Sequence, residues 1–451
     1  MSTAATTFDA IEPGSRALVL GLGRTGLSVA RYLRRSGFTL RVADSRADPP
    51  AAAELRSELP GVELRCGAFD ASLLDDVAQV VISPGLSLGE PIAQQALARG
   101  LPLIGDVELF AREVCAPVAA VTGTNGKSTV TTLIAEFATA AGRSTLAGGN
   151  LGRPALDLLE SPLPDLYVLE LSSFQLETTH SLAAAAAVVT NVTADHMDRY
   201  ATLADYAASK ARIYDRAGVA VVNSDDALVS GMPRDGQRLI SFSLRDPQAD
   251  YWLAQDPEPT ITRHGEPLLP LAAMRLKGLH NAANAMAALA MGEALGLPRA
   301  PALTVLADFA GLPHRSQWVA EIGGVSFVND SKGTNVGATV AAVAGMPGPL
   351  VLIAGGDGKG QDFAELREAC RGKVRLAVLI GRDAPRLAEA LQDVCATLGA
   401  TDMRAAVAAA RDAAEPGDTV LLSPACASLD MYRDYTERGD EFAAAVRGLA
   451  R

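Results

Sequence analysis

The seven residues Gly123, Thr124, Asn125, Gly126, Lys127, Ser128 and Thr129 spell GTNGKST between an apolar run, VAAVT, and a helical stretch, TVTTLIAEFATAAG. A glycine turn there aims backbone N–H groups at phosphates, the lysine adds charge, and the Ser128 hydroxyl can take Mg²⁺. Val121 stands where the full G-x-x-x-x-G-K-[ST] spacing needs its first glycine, so the loop is a shortened relative of that motif. A second turn, GLGRTG (Gly21 to Gly26), follows the strand ALVL and precedes LSVARYLRRSG. Its glycines let backbone approach a pyrophosphate at a helix N-terminus; Asp44, ending the next strand, could contact a ribose hydroxyl, and Ser45 and Arg46 a uracil or a phosphate. By itself this turn does not separate NAD(H) from another diphosphonucleotide, and a tight turn without a ligand is its plain alternative. Both loops in one chain suggest an enzyme that spends ATP on a nucleotide-linked substrate, because a dehydrogenase has no need of the second.

Other chemistry-bearing groups end apolar runs. ELSSFQLE puts Glu170 at a strand end, and NVTADHMDRY puts Asp195, His196 and Asp198 after another. Mg²⁺ takes hard oxygen ligands, so Glu170 with Ser128 or Thr129 and the ATP phosphates would suffice. Lys210, in YAASKARIY, reads as a solvated helix lysine. His280, Asn281 and Asn284 lie in LKGLHNAANAMAAL, where the amides either cap a helix or read an adenine edge. The last third holds PHR, NDSKGTN, GGDGKG and SPACASLDMY, placing Arg315, Lys332 and Lys359 where anions could be held; each segment could also be only a turn.

These groups need a scaffold of strands feeding helices. Eleven apolar runs read as strands: 17–20, 40–44, 79–83, 118–122, 166–171, 186–191, 219–223, 325–329, 350–355, 374–380 and 419–423. Most are followed by Ala/Leu-rich helical stretches, the alternation of an α/β fold with parallel sheets. Joints at 101–106 and 311–314 divide 451 residues into three domains, 1–106, 107–312 and 313–451. Residues 246–271, rich in Pro and polar side chains, read as irregular strands and loops. Forty Lys and Arg against 52 Asp and Glu give −12, and no basic run occurs, which disfavours nucleic acid and anionic lipid. The five cysteines show no metal or redox spacing. MSTAATTFDAIEPGSR lacks the marks of a secretory signal and no apolar run would span a bilayer, so a cytoplasmic protein without membrane insertion is expected.

Taken in order, GTNGKST, GGNLG, ELSSFQLE, TADHMDRY, SKARIY, GLHNAAN, LPHR, NDSKGTN, GGDGKG and SPACASLD resemble the Mur ligases, over Gly21 to about Phe442. The resemblance implies three domains: a Rossmann-like one for UDP, a central ATPase domain, and a C-terminal Rossmann-like domain for the incoming amino acid. It further implies ATP-dependent addition of D-glutamate to UDP-N-acetylmuramoyl-L-alanine through an acyl phosphate, a step of peptidoglycan synthesis, by a monomer. Position by position, Arg24, Thr25, Asp44, Ser45, Arg46, Ser83 and Gly85 would surround the uridine diphosphate, and Asn150 the sugar-linked part. Gly123 to Thr129, Asn281, Asn284, Arg315 and Asp330 would bind ATP. Ser128, Glu170, His196 and Lys210, the last as a carbamate, would serve two Mg²⁺ ions, making Lys127, Glu170, His196 and Lys210 the catalytic set. Lys332, Thr334, Ser428, Leu429 and Tyr435 would receive glutamate; Tyr435 departs from a frequent Phe. The same chemistry with L-glutamate, an NAD-dependent dehydrogenase, a nucleotide sensor and a folylpolyglutamate synthase-like enzyme are the alternatives. GLGRTG opens an N-terminal domain that the last of these lacks.

Overall fold

The computed structural model describes residues 14–449 except 198, 277 and 347, so Asp198 and most of the N-terminal stretch lie outside the described residues. Three sheets follow one another along the chain. The first is parallel, in the order β3-β2-β1-β4-β5, from β1 (Arg16–Leu20), β2 (Thr39–Asp44), β3 (Glu63–Cys66), β4 (Gln79–Ile82) and β5 (Leu103–Ile104). Its order reverses between β1 and β4, and the crevice beyond their carboxyl ends is where such sheets bind ligands. GLGRTG lies there: a Cβ on Gly26 would fall 1.9 Å from the Gly21 carbonyl oxygen, so only glycine lets the helix Arg24–Arg35 sit this close to its own turn.

The second sheet runs β14-β13-β12-β11-β10-β9-β6-β8-β7, from β6 (Val118–Thr122), β7 (Thr145–Gly149), β8 (Leu166–Glu170), β9 (Ala186–Val189), β10 (Val219–Asn223), β11 (Arg238–Ser243), β12 (Tyr251–Ala254), β13 (Thr260–Arg263) and β14 (Glu266–Pro270). Residues 246–271 are thus not irregular: they hold β12, β13 and β14, which extend the sheet, the last two pairings antiparallel. The third sheet runs β15-β16-β20-β17-β18-β19, from β15 (Gln317–Ile322), β16 (Val325–Asn329), β17 (Leu350–Gly355), β18 (Val374–Ile380), β19 (Ala396–Gly399) and β20 (Thr419–Leu422). All of β17 and β20 is buried because helices cover both faces, which explains their unbroken apolar sequences. The strands that hydrophobic runs do not reveal lie mainly at edges or joints. The four residues of β19, for example, are all exposed and carry no apolar pattern.

One apolar cluster runs from the first sheet into the second. Phe110, on the helix Asp106–Glu113 after the first joint, packs edge-on against Tyr167 of β8 with ring centroids 5.3 Å apart. The third sheet has its own apolar layers on either face.

Candidate active site

The phosphate loop links β6 to the helix Lys127–Ala140, and partners from the neighbouring strand set its shape. The Thr124 N–H donates to the Asn191 carbonyl at 2.8 Å and the Asn125 N–H to Asn191 Oδ1 at 2.9 Å. Asn191 Nδ2 returns a bond to the Asn125 carbonyl at 3.0 Å. Asn191 thus grips the loop from two sides; its place just past the carboxyl end of β9 is the signal that could have singled it out. At Gly126 φ is +83°, and a Cβ would meet Asn284 Oδ1 at 2.2 Å, which excludes any larger residue.

Inside this frame the polar groups of three distant segments meet. Ser128 Oγ donates to Glu170 Oε2 at 2.5 Å and accepts from Arg315 Nη2 at 2.7 Å, a contact spanning 187 positions. Asn150 Nδ2 donates to the other Glu170 oxygen at 2.6 Å, so Asn150 is held beside that acid. Lys127 Nζ turns back onto its loop, donating to the carbonyls of Gly123 at 3.0 Å and Thr124 at 2.9 Å, and burial lowers its pKa against the pull of Glu170. Lys210 is the clear departure from expectation. On the helix Leu203–Ala211 it is 1% exposed rather than solvated, with Nζ donating to the Gly123 carbonyl at 2.8 Å and lying 4.4 Å from the Tyr206 ring centroid. Burial, then the charge of Lys127, holds its pKa well below the ordinary lysine range. His196 is half-exposed at φ +56°, its ring edge-on to Phe174 at 4.9 Å and Nε2 3.7 Å from Asp195. No cluster of three or more His, Cys, Asp or Glu is assembled among the described residues. The oxygens of Ser128 and Glu170 still suit a hard cation that takes its remaining ligands from phosphates and water.

A cleft of about 290 Å³ opens beside the loop, lined by Gly126, Asn281, Asn284, Arg315, Asp330 and Lys332 among others. Asn281 and Asn284 do not cap the helix Leu279–Ala294, whose cap is Gly278 without a side-chain bond; both are buried, and Asn284 Nδ2 donates to Asn281 Oδ1 at 3.2 Å. Burial raises the Asp330 carboxyl to about 6, while its oxygens accept from Ser316 N at 2.9 Å and Ser423 Oγ at 2.8 Å. Lys332 is drawn over the Tyr435 ring, 4.0 Å from its centroid, and burial followed by the charge of Arg315 lowers it to about 8. Thr334 N–H bonds the Lys332 carbonyl at 2.8 Å. Ser428 is buried in the loop after β20, and Leu429 beside it is 71% exposed. Lys359 is exposed in a turn closed by its N–H on Asp357 at 3.0 Å.

That corner has a keystone the sequence hides. Arg438, buried on the helix Tyr435–Leu449, donates to Ser331 Oγ at 3.0 Å and to the carbonyls of Ser331 at 2.8 Å, Cys426 at 3.2 Å and Gly355 at 3.4 Å. It ties NDSKGTN, SPACASLD and GGDGKG together, yet in TERGDE it looks like any helix-surface charge.

In the first domain the acid of the dinucleotide-type turn is already engaged. Asp44 accepts from Leu22 N at 2.7 Å, from Arg46 N at 2.9 Å, and from Arg46 Nε and Nη2 at 2.8 and 2.6 Å. These four bonds use a carboxylate's acceptor sites, so Asp44 shapes the loop and aims Arg46. The Arg46 bond first, helped by the backbone donors, lowers its pKa to about 2. Ser45 borders a hollow of about 260 Å³ with Phe69 and Leu86; Thr25 and Ser83 are half-buried and Gly85 exposed. Arg24 Nη2 reaches the Gly152 carbonyl of the central domain at 2.9 Å.

Known proteins match this arrangement along the chain. Residues 15–105 fit the family model of the Mur ligase MurD-like N-terminal domain, 121–292 the Mur ligase middle domain, and 314–426 the Mur ligase glutamate ligase domain. A UDP-N-acetylmuramoylalanine--D-glutamate ligase from Nitrosococcus oceani is 52% identical, covering 97% of this chain and 98% of its own. One from Methylobacillus flagellatus is 53% identical over 96% of each. The chain belongs to the Mur ligase family. Mur ligases are ATP-dependent and generally use Mg²⁺. The Mur ligase fold is also seen in the UDP-N-acetylmuramate-alanine ligase of Thermotoga maritima, 18% identical, TM-score 0.60, covering 96% of this chain and 99% of that one. It recurs in a pseudomurein peptide ligase type C of Methanothermus fervidus, 17% identical, TM-score 0.57, covering 97% and 100%. Among the described residues of this Mur ligase, no helix is long and apolar enough to cross a membrane.

Proposed function

We propose that this chain joins D-glutamate to UDP-N-acetylmuramoyl-L-alanine at the expense of ATP, as a cytoplasmic monomer. The observation that carries the reading is the meeting at Ser128 of the phosphate loop, the strand-end acid Glu170 and Arg315 from the C-terminal sheet. Such a site draws its groups from both the central and the C-terminal segments of the chain. Residues 1–106 would hold UDP, 107–312 ATP and 313–451 glutamate, with Asp44 acting through Arg46 in the first, beside Arg24, Thr25, Ser45, Ser83 and Gly85.

The substrate carboxylate attacks the γ-phosphate of ATP, releasing ADP and leaving an acyl phosphate. The deprotonated amine of glutamate then adds to the carbonyl, and expulsion of phosphate leaves the amide. The first step crowds two anions together, and Lys127 and Arg315 offset that charge. Two Mg²⁺ ions would supply further neutralisation of the phosphates, with Ser128, Glu170, His196 and the Lys210 carbamate as their protein ligands. Asn150, beside Glu170, would meet the sugar-linked part of the substrate, while Asn281, Asn284 and Asp330 receive adenosine. Lys332, Thr334, Ser428, Leu429 and Tyr435 orient glutamate.

The carbamate follows from the burial of Lys210. Burial and the charge of Lys127 disfavour the Lys210 ammonium, and the free-amine form can add to CO₂ with loss of a proton, giving an anion that hard cations accept. We expect Lys210→Ala to lose activity and to regain part of it with formate or acetate; mass spectrometry of the native protein without a carbamate would oppose this. The main test is ADP release with UDP-N-acetylmuramoyl-L-alanine and a panel of D- and L-amino acids. D-glutamate should be the preferred acceptor, and turnover with L-glutamate alone would overturn the stereochemical assignment.

A further inference from the structure

The proposed roles use only His196 of TADHMDRY and leave Arg199 without a task. Arg199 is largely buried, 13% exposed, and both terminal nitrogens and one face of its guanidinium are engaged. Nη1 donates to the Pro84 carbonyl at 3.1 Å, Nη2 to Glu177 Oε2 at 2.8 Å, and the plane lies 4.1 Å from the Phe174 ring centroid. The other oxygen of Glu177 accepts from the Tyr200 hydroxyl at 2.5 Å. Phe174 continues the contact inward, packing edge-on to His196 at 4.9 Å, while Tyr200 meets Tyr206 at 5.2 Å. Tyr206 is the ring beneath the Lys210 ammonium.

Pro84 sits between Ser83 and Gly85, on the loop after β4 of the first domain, and the rest of this chain of contacts belongs to the second. A single guanidinium therefore bridges the nucleotide loop of one domain and the wall that carries His196 and Lys210 in the other. We propose that Arg199 is a positioning residue that sets the separation between the UDP-holding loop and the site of phosphoryl transfer, and so places the substrate carboxylate against ATP. The proposal rests on Ser83 and Gly85 serving the UDP group. A substrate anchored in one domain and activated in another is sensitive to that separation, since a displacement of about 1 Å at a reacting centre can cost on the order of a hundredfold in rate. The chemistry favours arginine: its planar fork can hold a carbonyl and a carboxylate at once while stacking on a ring, which a lysine ammonium cannot. Glu177 offsets the buried charge and, with Tyr200, fixes the rotamer.

The test compares Arg199→Met, Arg199→Lys and Glu177→Gln with the wild-type chain, measuring thermal unfolding, steady-state constants for each substrate, and titrations with UDP-N-acetylmuramoyl-L-alanine and with ATP. Arg199→Met should raise KM for the UDP-linked substrate by about tenfold or more and lower kcat, the loss of a charged hydrogen bond network. The dissociation constant for ATP should stay within about twofold. Arg199→Lys should fold like the wild type yet recover only part of the KM, because it keeps the charge without the fork, and Glu177→Gln should fall between. An unchanged KM for the UDP-linked substrate, full recovery in Arg199→Lys, or equal losses for ATP and UDP-linked substrate together with a lowered Tm would overturn it, the last marking Arg199 as a plain structural brace. A wild-type chain that shows no glutamate-dependent ADP release would overturn the ligase reading itself and this proposal with it, an outcome the wild-type arm reports before any variant is considered.

Discussion

The two glycine turns of this chain look alike as sequences and differ in how their charges are held. In the first, Asp44 has its acceptor sites taken by backbone N–H groups and by Arg46. In the second, Lys127 donates its hydrogen bonds to neutral carbonyls of its own loop. A charge locked in a charge-assisted, multiply bonded pair is committed to shape, whereas an ammonium on neutral acceptors gains by exchanging them for a phosphate. The comparison teaches that a glycine-rich turn says where a phosphate could sit, while the partners of the nearby charge say whether that charge serves the ligand or the loop.

The strongest way to break this contrast is Lys127→Ala. We expect turnover to fall by about a hundredfold or more, the scale of several kcal/mol of lost charge stabilisation, with Tm nearly unchanged. Retention of a tenth of the wild-type rate would remove Lys127 from the phosphate chemistry. Lys332 extends the contrast to a third cation, which lies over Tyr435 beside the cleft. Lys332→Ala should raise KM for glutamate by about tenfold, a charged hydrogen bond being worth roughly 1.5 to 3 kcal/mol, and leave KM for ATP nearly as it was. An effect on ATP instead would assign this lysine to the phosphates.

Asp44 should behave in the opposite manner. Asp44→Asn is expected to lower stability by about 1 to 3 kcal/mol, because Arg46 and the Leu22 N–H lose a charged acceptor, and to weaken UDP-linked substrate binding only through Arg46. Its pH dependence has a fixed sign. The folded pKa is lowered to about 2, so the stabilisation is present above the unfolded value near 4 and is lost as pH falls from there towards 2. Chemical denaturation of wild type and Asp44→Asn across that window should converge at the acid end; a constant difference would show that Asp44 contributes packing and no charge.

The α/β class, the positions of β6, β10, β16, β17 and β18, and both glycine turns were legible because each depends on neighbours a few residues away. A fully buried parallel strand is a continuous apolar run, and a phosphate turn needs its glycines in place. The edge strands were less legible, since partly or fully exposed residues such as those of β15 and β19 carry little apolar signal. Residues 246–271 misled for a related reason: their strands are short, polar on one side and punctuated by proline, and it is their pairing with one another, and of β12 with β11, that makes them part of the sheet.

By itself, then, the sequence determined the α/β alternation with its buried central strands, the loops able to cradle phosphates, and a set of motifs spaced as in one enzyme family. Tertiary structure decided what each charged side chain meets. Lys210 reads as a surface lysine until the Leu203–Ala211 helix packs it against the Gly123 carbonyl, 87 positions away. Arg315 lies 187 residues from Ser128 until the third domain folds against the second, and Arg438 becomes a buried tie between three loops only once its helix covers β16. Periodicity and turn chemistry act over a few residues and are written in the chain, whereas desolvation and charge pairing depend on which distant surfaces exclude water from one another.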